Sequence, residues 1–172
     1  MAQLFIFSKK HPDRKRLDFI VRAIDGKHKI ATLRCLSVED GLVVGTDGTR
    51  IHYAYVDNIP NGIYSFERNG GELHLVEENL TTYPDWKKVL PDTTTMKQSK
   101  QIFSFKDSLT RTTDIYAFWK ESGCCVNFDY LKDLTVEEVS YNSYWKDEFS
   151  PVLFAGRNGA ALGALIQPIK GV

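Results

Sequence analysis

Pro151-Val-Leu-Phe-Ala155 and Leu165-Ile-Gln-Pro-Ile-Lys170 are the apolar runs that close this chain, and their reading decides the fold. Both are short, rich in β-prone residues and bounded by turn-forming ones, so residues 152–155 and 161–167 are predicted strands. Residues 138–145 give a third strand before them, and 129–134 a short helix. Residues 102–105 and 124–128 read as further strands. Residues 107–119 also read as strand, because Ile115, Ala117 and Trp119 alternate with Tyr116 and Phe118.

The first third has the same order of elements. Residues 4–7 (Leu-Phe-Ile-Phe) form a strand. A helix follows, with Pro12 suited to its first turn and Asp13 favoured by the helix dipole. Leu17, Ile20, Val21 and Ile24 recur at i, i+3, i+4 and i+7 as its buried face, and Gly26 is expected to end it. The period then becomes alternating over 29–36. Asp40-Gly41 and Asp47-Gly48 are hairpin turns separating strands at 42–45 and 50–56. A strand–helix–three-strand unit is thus expected at each end, over residues 1–57 and 101–172. Between them lies an irregular, β-rich insertion over 58–100, with a hairpin across Asn69-Gly70-Gly71 and a helical turn at 84–90.

Composition bounds the function. The chain has 172 residues, 22 Lys+Arg against 22 Asp+Glu, and 42% hydrophobic residues. That fits one compact domain or two very small ones, and it argues against a nucleic-acid coat protein, which carries a basic excess. No apolar run approaches the ~20 residues that span a bilayer, and no signal-peptide order is present, so a cytoplasmic location without membrane contact is expected. Cys35, Cys124 and Cys125 are an odd set with no C-x-x-C or zinc spacing, and read as reduced thiols.

No residue cluster carries visible catalysis. Glu77-Glu78 and Glu137-Glu138 are neighbours whose side chains point to opposite faces of a strand. His11, His28, His52 and His74 follow no metal motif, although folding could join His52 to His74. There is no phosphate loop or dinucleotide fingerprint, so no cofactor is expected. Lys9, Lys10, Arg14, Lys15 and Arg16 flank the helix start and are candidate phosphate contacts. Tyr53, Tyr55, Tyr141, Tyr144 and Trp145 are candidates for base stacking, against a bland reading as cross-strand pairs.

Gly45-Thr-Asp-Gly-Thr-Arg-Ile51 resembles the A-T-D-G-H-R-L turn of the bacterial sliding clamp, the β subunit of DNA polymerase III. Tyr83-Pro-Asp-Trp-Lys-Lys-Val-Leu-Pro91 is similar to that family's F-P-D-Y-R-R-V-I/L-P, and Leu165–Lys170 to its terminal V-I-M-P-M-R. Asn127-Phe-Asp-Tyr-Leu-Lys-Asp-Leu134 and Ser150-Pro-Val-Leu153 match further pieces in order. A clamp subunit has three domains, each of two strand–helix–three-strand units. This chain resembles parts of the second and third, with the intervening part deleted.

The resemblance implies an α+β, DNA-clamp-like fold: two strand–helix–three-strand units forming antiparallel sheet with helices on one face. It implies a peptide groove and no enzyme activity. Thr46, Gly48, Arg50 and Ile51 would form one wall, Pro84, Lys88 and Val89 the base, and Leu165, Ile166, Gln167, Pro168 and Ile169 the other wall. Partners would be polymerase- or loader-type proteins carrying a clamp-binding motif. Double-stranded DNA would be encircled only by a homo-oligomeric ring, with the basic cluster facing it. The rivals are a clamp-derived adaptor that never touches DNA and an unrelated enzyme whose site assembles only on folding.

Overall fold

The computed structural model describes residues 3–135, 139–157 and 162–169. The chain divides into two compact units, Met1–Asp85 and Trp86–Val172.

The first unit opens with β1 (Leu4–Phe7) and α1 (Arg14–Val21). β2 (Leu36–Glu39), β3 (Leu42–Thr46) and β4 (Arg50–Tyr55) follow, then the hairpin of β5 (Gly62–Asn69) and β6 (Glu72–Glu78). The strands lie in the order β1-β6-β5-β2-β3-β4, and the pairings are antiparallel. Asp40 (φ 51°) and Gly41 (φ 79°) make the left-handed pair that a two-residue hairpin turn between β2 and β3 needs.

The helix stripe expected from sequence is the one buried: Leu17, Ile20, Val21 and Ile24 all face the interior, joined by Ala23 and Phe19. Helix and sheet come close together at Gly45 of β3. A Cβ there would stand 2.8 Å from the Ile20 carbonyl oxygen and 3.0 Å from a side-chain carbon of Ile20 and one of Ile24, just past the helix. Only glycine permits that approach.

Two local expectations differ. α1 ends at Val21, well before Gly26: Ala23 N and Ile24 N bond three residues back, to the Ile20 and Val21 carbonyls, and the Arg50 guanidinium donates to the carbonyl of Arg22, the C-cap residue, at 2.6 Å. A cation there satisfies an orphan carbonyl and complements the helix dipole. Residues 29–36 are not one strand. A 3-10 turn over Ala31–Arg34 precedes β2, and Leu33 donates to the Ile30 carbonyl at 3.1 Å.

The second unit begins with 3-10 turns at Trp86–Lys88 and Thr93–Thr95 and the two-residue strand β7 (Lys97–Gln98). Then come α2 (Ser108–Ser122), α3 (Phe128–Asp133), β8 (Tyr141–Trp145), β9 (Val152–Gly156) and β10 (Leu162–Ile166). Its strands are ordered β10-β9-β8-β7 and again pair antiparallel. The core is aromatic: Phe118 of α2 packs edge-on against Trp145 at 5.5 Å and Phe103 at 5.8 Å, and Phe105 edge-on against Phe154 at 5.4 Å. A strand (β7), helices and three strands follow one another here as β1, α1 and β2–β4 do in the first unit; the α+β class is as expected, but the opening strand is β7, ahead of the strand expected at 102–105.

The strand read over 107–119 is α2. Asp107 caps it by accepting from Thr110 N at 2.8 Å, and Gly123 (φ 76°) closes it with a bond to the Trp119 carbonyl at 2.8 Å. Residues 102–105 yield only a bridge from Phe103 to Tyr141. Phe105 (φ 51°) breaks the extended run, held by Asp114 Oδ2, which accepts from its N–H at 3.2 Å. Residues 124–128 belong to no strand.

Candidate functional site

The turn at residues 46–50 is built from its own side chains. Asp47 Oδ1 accepts from Thr49 N at 2.9 Å and Arg50 N at 3.0 Å, while Oδ2 pairs with Arg50 Nε at 3.0 Å. Thr46 Oγ1 donates to the Arg50 carbonyl at 2.6 Å and accepts from Gly48 N at 3.0 Å. Gly48 (φ 88°) supplies the left-handed step. With Arg50 also reaching Arg22, the Thr-Asp-Gly-x-Arg signature is first a device that rigidifies the turn and locks it to α1. Thr46 and Ile51 are buried, and Arg50 is largely committed. Gly48 and Thr49 form the exposed surface.

Next to it in the same unit, Tyr83 OH lies 3.1 Å from the Cys35 carbonyl and 3.3 Å from that of Val44, positioned to donate to either. Burial pushes its phenol far above the ordinary value. Tyr83 thus pins the irregular segment that leads to Pro84, which is exposed.

In the second unit Trp86 is buried, its ring lies 5.6 Å below Lys87 Nζ, and its carbonyl accepts from Val89 N and Leu90 N, both at 3.1 Å. Lys88 and Val89 stand outward, Val89 with 48% of its surface exposed. β10 is buried along its length, so Leu165 and Ile166 are core residues, paired with Leu153 and Val152. Beyond it Gln167 is exposed, Pro168 buried and Ile169 47% exposed. Ile169 N donates to the Cys125 carbonyl at 2.7 Å, which fixes the path of this segment. Lys170 and the Glu137-Glu138 pair lie outside the described residues.

The basic cluster divides. Lys9, Lys10 and Lys15 are exposed and Arg16 partly so, the last bonded to Asp13 Oδ1 at 3.4 Å and the Tyr55 carbonyl at 3.1 Å. Arg14 is buried. It pairs with Asp18 at 2.9 Å and donates to the Phe7 carbonyl at 2.8 Å and the Gly71 carbonyl at 2.9 Å. It therefore ties α1, β1 and the β5–β6 turn together and is not a surface cation. Among the stacking candidates, Tyr141 and Trp145 are core residues, Tyr53 and Tyr144 are half-buried, and Tyr55 is exposed.

No arrangement for acid–base or metal chemistry appears among the described residues. No group of three His, Cys, Asp or Glu is placed to hold a metal ion. Folding separates His52 on β4 from His74 on β6 by three intervening strands, roughly 19 Å at the ordinary strand spacing. His52 is fully buried, stacked on Phe19 at 4.4 Å, with Nδ1 2.8 Å from the Phe19 carbonyl oxygen. Burial, with the Arg50 and Arg22 charges adding to it, lowers its pKa to about 3, so it is a neutral core residue. The Cys35 and Cys124 thiols are buried and pushed up chiefly by desolvation, the opposite of a nucleophile's environment. Among the described residues no helix is long and apolar enough to cross a membrane.

No family model matches the sequence, and no curated protein matches it significantly. Solved structures do match it in fold. The DNA polymerase III β subunit of Thermotoga maritima superimposes with a TM-score of 0.66 at 11% identity, covering 98% of this chain and 66% of that one. The β chain from Streptococcus pneumoniae gives 0.67 at 11% identity, over 98% and 65%. The sliding clamp of Bartonella birtlesii, solved bound to griselimycin, gives 0.60 at 15% identity, over 99% and 66%. This chain thus spans just under two thirds of the length of the clamps it matches. Its fold, over nearly all of its length, is that of the bacterial DNA polymerase III β sliding clamp.

Proposed function

We propose that this chain is a non-enzymatic, clamp-like binding protein of DNA replication or repair that holds an extended peptide of a polymerase- or loader-type partner. The observation that carries the reading is the match of 98% of the chain to sliding clamps, in a molecule whose buried histidine and two buried thiols are all placed as core residues. The segments that would grip the peptide are residues 46–51, 84–89 and 165–169. Their physical character supports this role. Thr46, Ile51, Leu165 and Ile166 are buried and hold the backbone, while Gly48, Pro84, Lys88, Val89, Gln167 and Ile169 are exposed. Apolar Val89 and Ile169 beside polar Lys88 and Gln167 suit an extended peptide, which needs apolar anchoring and a few polar fixings.

The test is fluorescence anisotropy with a labelled peptide carrying the clamp-binding motif of a replicative polymerase. Saturable binding, weakened about tenfold or more by Val89→Asp and by Ile169→Asp, is expected. Both positions are exposed, so the variants keep the fold. Absence of saturable binding, or binding untouched by both substitutions, would sink the reading.

A peptide-binding adaptor that does not touch DNA is the second form of the proposal. The equal numbers of acidic and basic residues and the internal role of Arg14 favour it. Duplex binding that weakens steeply with salt, and again when Lys9, Lys10, Lys15 and Arg16 are replaced, would instead favour a DNA-contacting clamp.

A further inference from the structure

α2 carries apolar residues on two sides, and the sheet takes only one of them. Phe118 packs inward on Phe103, Trp145 and Phe154. Ile115, Tyr116 and Trp119 lie on another side, where Tyr116 is 57% and Trp119 46% exposed. The order of elements explains this. In the first unit one helix is followed by three strands of its own, whereas α2 runs into α3 with no strand between them. α2 and α3 thus share β8–β10, and the outer side of α2 has no layer over it among the described residues. Cys125 and Val126 lie against that side, and with it they line an almost wholly apolar cleft of about 360 Å³. Such a volume falls at the small end of the range for ligand clefts, roughly 300–1,000 Å³.

Tyr116 is also a wall of a second cleft, of about 410 Å³, which Lys100 and Lys120 line. Lys120 Nζ lies 5.7 Å from the Tyr116 ring centroid, and the Trp119 ring lies 5.9 Å from the same ring. Neither lysine is ion-paired among the described residues. Glu121, the carboxylate lining this cleft, is engaged by the chain itself: it accepts from Ser99 Oγ and from Lys100 N at 3.2 Å. Two lysines against one committed carboxylate leave the cleft positive. We infer that the two clefts form one site for a small amphipathic anion, one or two rings bearing a carboxylate or sulfonate. The rings lie between Trp119 and Val126, and the acid group reaches past Tyr116 to Lys120 and Lys100. Ring burial removes apolar surface from water, and the apolar wall beside the lysines strengthens their attraction for the acid group. The α2 wall of the apolar cleft spans about one helical turn, roughly 6 Å. That is room for rings and too little for a docked helix, whose anchors recur over two turns. The site belongs to the second unit and is independent of peptide binding.

Fluorescence titration of the whole chain with dansyl acid, two fused rings and a sulfonate, tests it. Saturable one-to-one binding is expected, weakened about fivefold or more by Trp119→Ala and, separately, by Lys120→Glu, with unchanged circular dichroism. Dansyl amide, with the same rings and no charge, should bind more weakly and ignore Lys120→Glu. Lys15→Glu and Val89→Asp, at exposed positions elsewhere, should leave binding as it is. In the unaltered chain, saturating dansyl acid should slow alkylation of the half-buried Cys125 by iodoacetamide, read by mass spectrometry. Absence of saturable binding, binding indifferent to both Trp119→Ala and Lys120→Glu, equal affinity for acid and amide, or undiminished alkylation would overturn the inference. Loss of dansyl acid binding in Val89→Asp would overturn it too, by placing the probe at the peptide segments. Each of these outcomes leaves the anisotropy experiment with the polymerase peptide free to succeed or fail by itself.

Discussion

Mild acid should destabilise the first unit through one side chain, His52. Its Nδ1–H donates to the Phe19 carbonyl, its ring lies flat on Phe19, and its buried Nε2 has no hydrogen-bond partner. A second proton would sit on that unpartnered nitrogen, away from water and close to the Arg50 and Arg22 charges. The folded pKa is therefore about 3, against an ordinary 6.5. The folded value is the lower one, so the stability is present above pH 6.5 and is lost as pH falls toward 3. From pH 7 to pH 5 the unfolded chain takes up a proton that the folded chain refuses. Linkage makes this a loss of about 2 kcal/mol, or roughly 1 M in urea midpoint for a protein of this size. The carboxylates held low by hydrogen bonds, Asp92, Asp107 and Asp147, start from an ordinary 3.8 and titrate below this window. Urea denaturation followed by circular dichroism at pH 7, 6 and 5 measures the effect. His52→Phe keeps the stacked ring and removes the titration, at a cost of about 1 kcal/mol at pH 7 for the lost hydrogen bond. The variant should lack the wild-type pH dependence. Equal slopes for the two proteins would refute this account of His52.

Three further outcomes are expected. Arg14→Met should cost about 3 kcal/mol by leaving the Phe7 and Gly71 carbonyls without their donor and Asp18 with Arg68 alone, at 2.8 Å, whereas the exposed Lys15→Met should stay within about 0.5 kcal/mol; thermal melts separate the two. Gly45→Ala should cost roughly 1–3 kcal/mol, since its Cβ meets the Ile20 carbonyl oxygen as well as the side chains of Ile20 and Ile24, and urea midpoints will report it. With Cys35 and Cys124 buried, one of the three thiols should react with a thiol reagent in the folded protein and all three after denaturation, as spectrophotometric titration will count.

Much of the fold is legible in the residues because the signals are local. Leu17, Ile20, Val21 and Ile24 carry a helical period that burial confirms, and Asp40-Gly41 demands its turn by backbone sterics. What escapes the sequence is set at a distance. The end of α1 is capped by Arg50, twenty-eight residues away from the carbonyl it bonds. α2 is misread because only Phe118 is fully buried in it, so no apolar stripe announces the period. Its real markers were the caps, Asp107 and Gly123. The candidate groove shows the same limit. The turn signature and the terminal strand are readable as segments, yet sequence cannot distinguish Ile166, which is core, from Ile169, which is exposed. Nor does it show that Arg14 belongs inside while Lys15 belongs outside.

The pairing of β1 with β6 sets the order in which a ribosome can complete this protein. Leu4–Phe7 is made well before its partner residues, which run from Leu73 to Val76. At roughly 5–20 residues per second, the strand waits about 4–14 seconds before its ladder can form. During that interval both edges of an apolar strand are open on the nascent chain. A cellular factor that shields short hydrophobic segments would act here, and synonymous changes that slow synthesis before the β5–β6 hairpin would lengthen the exposure.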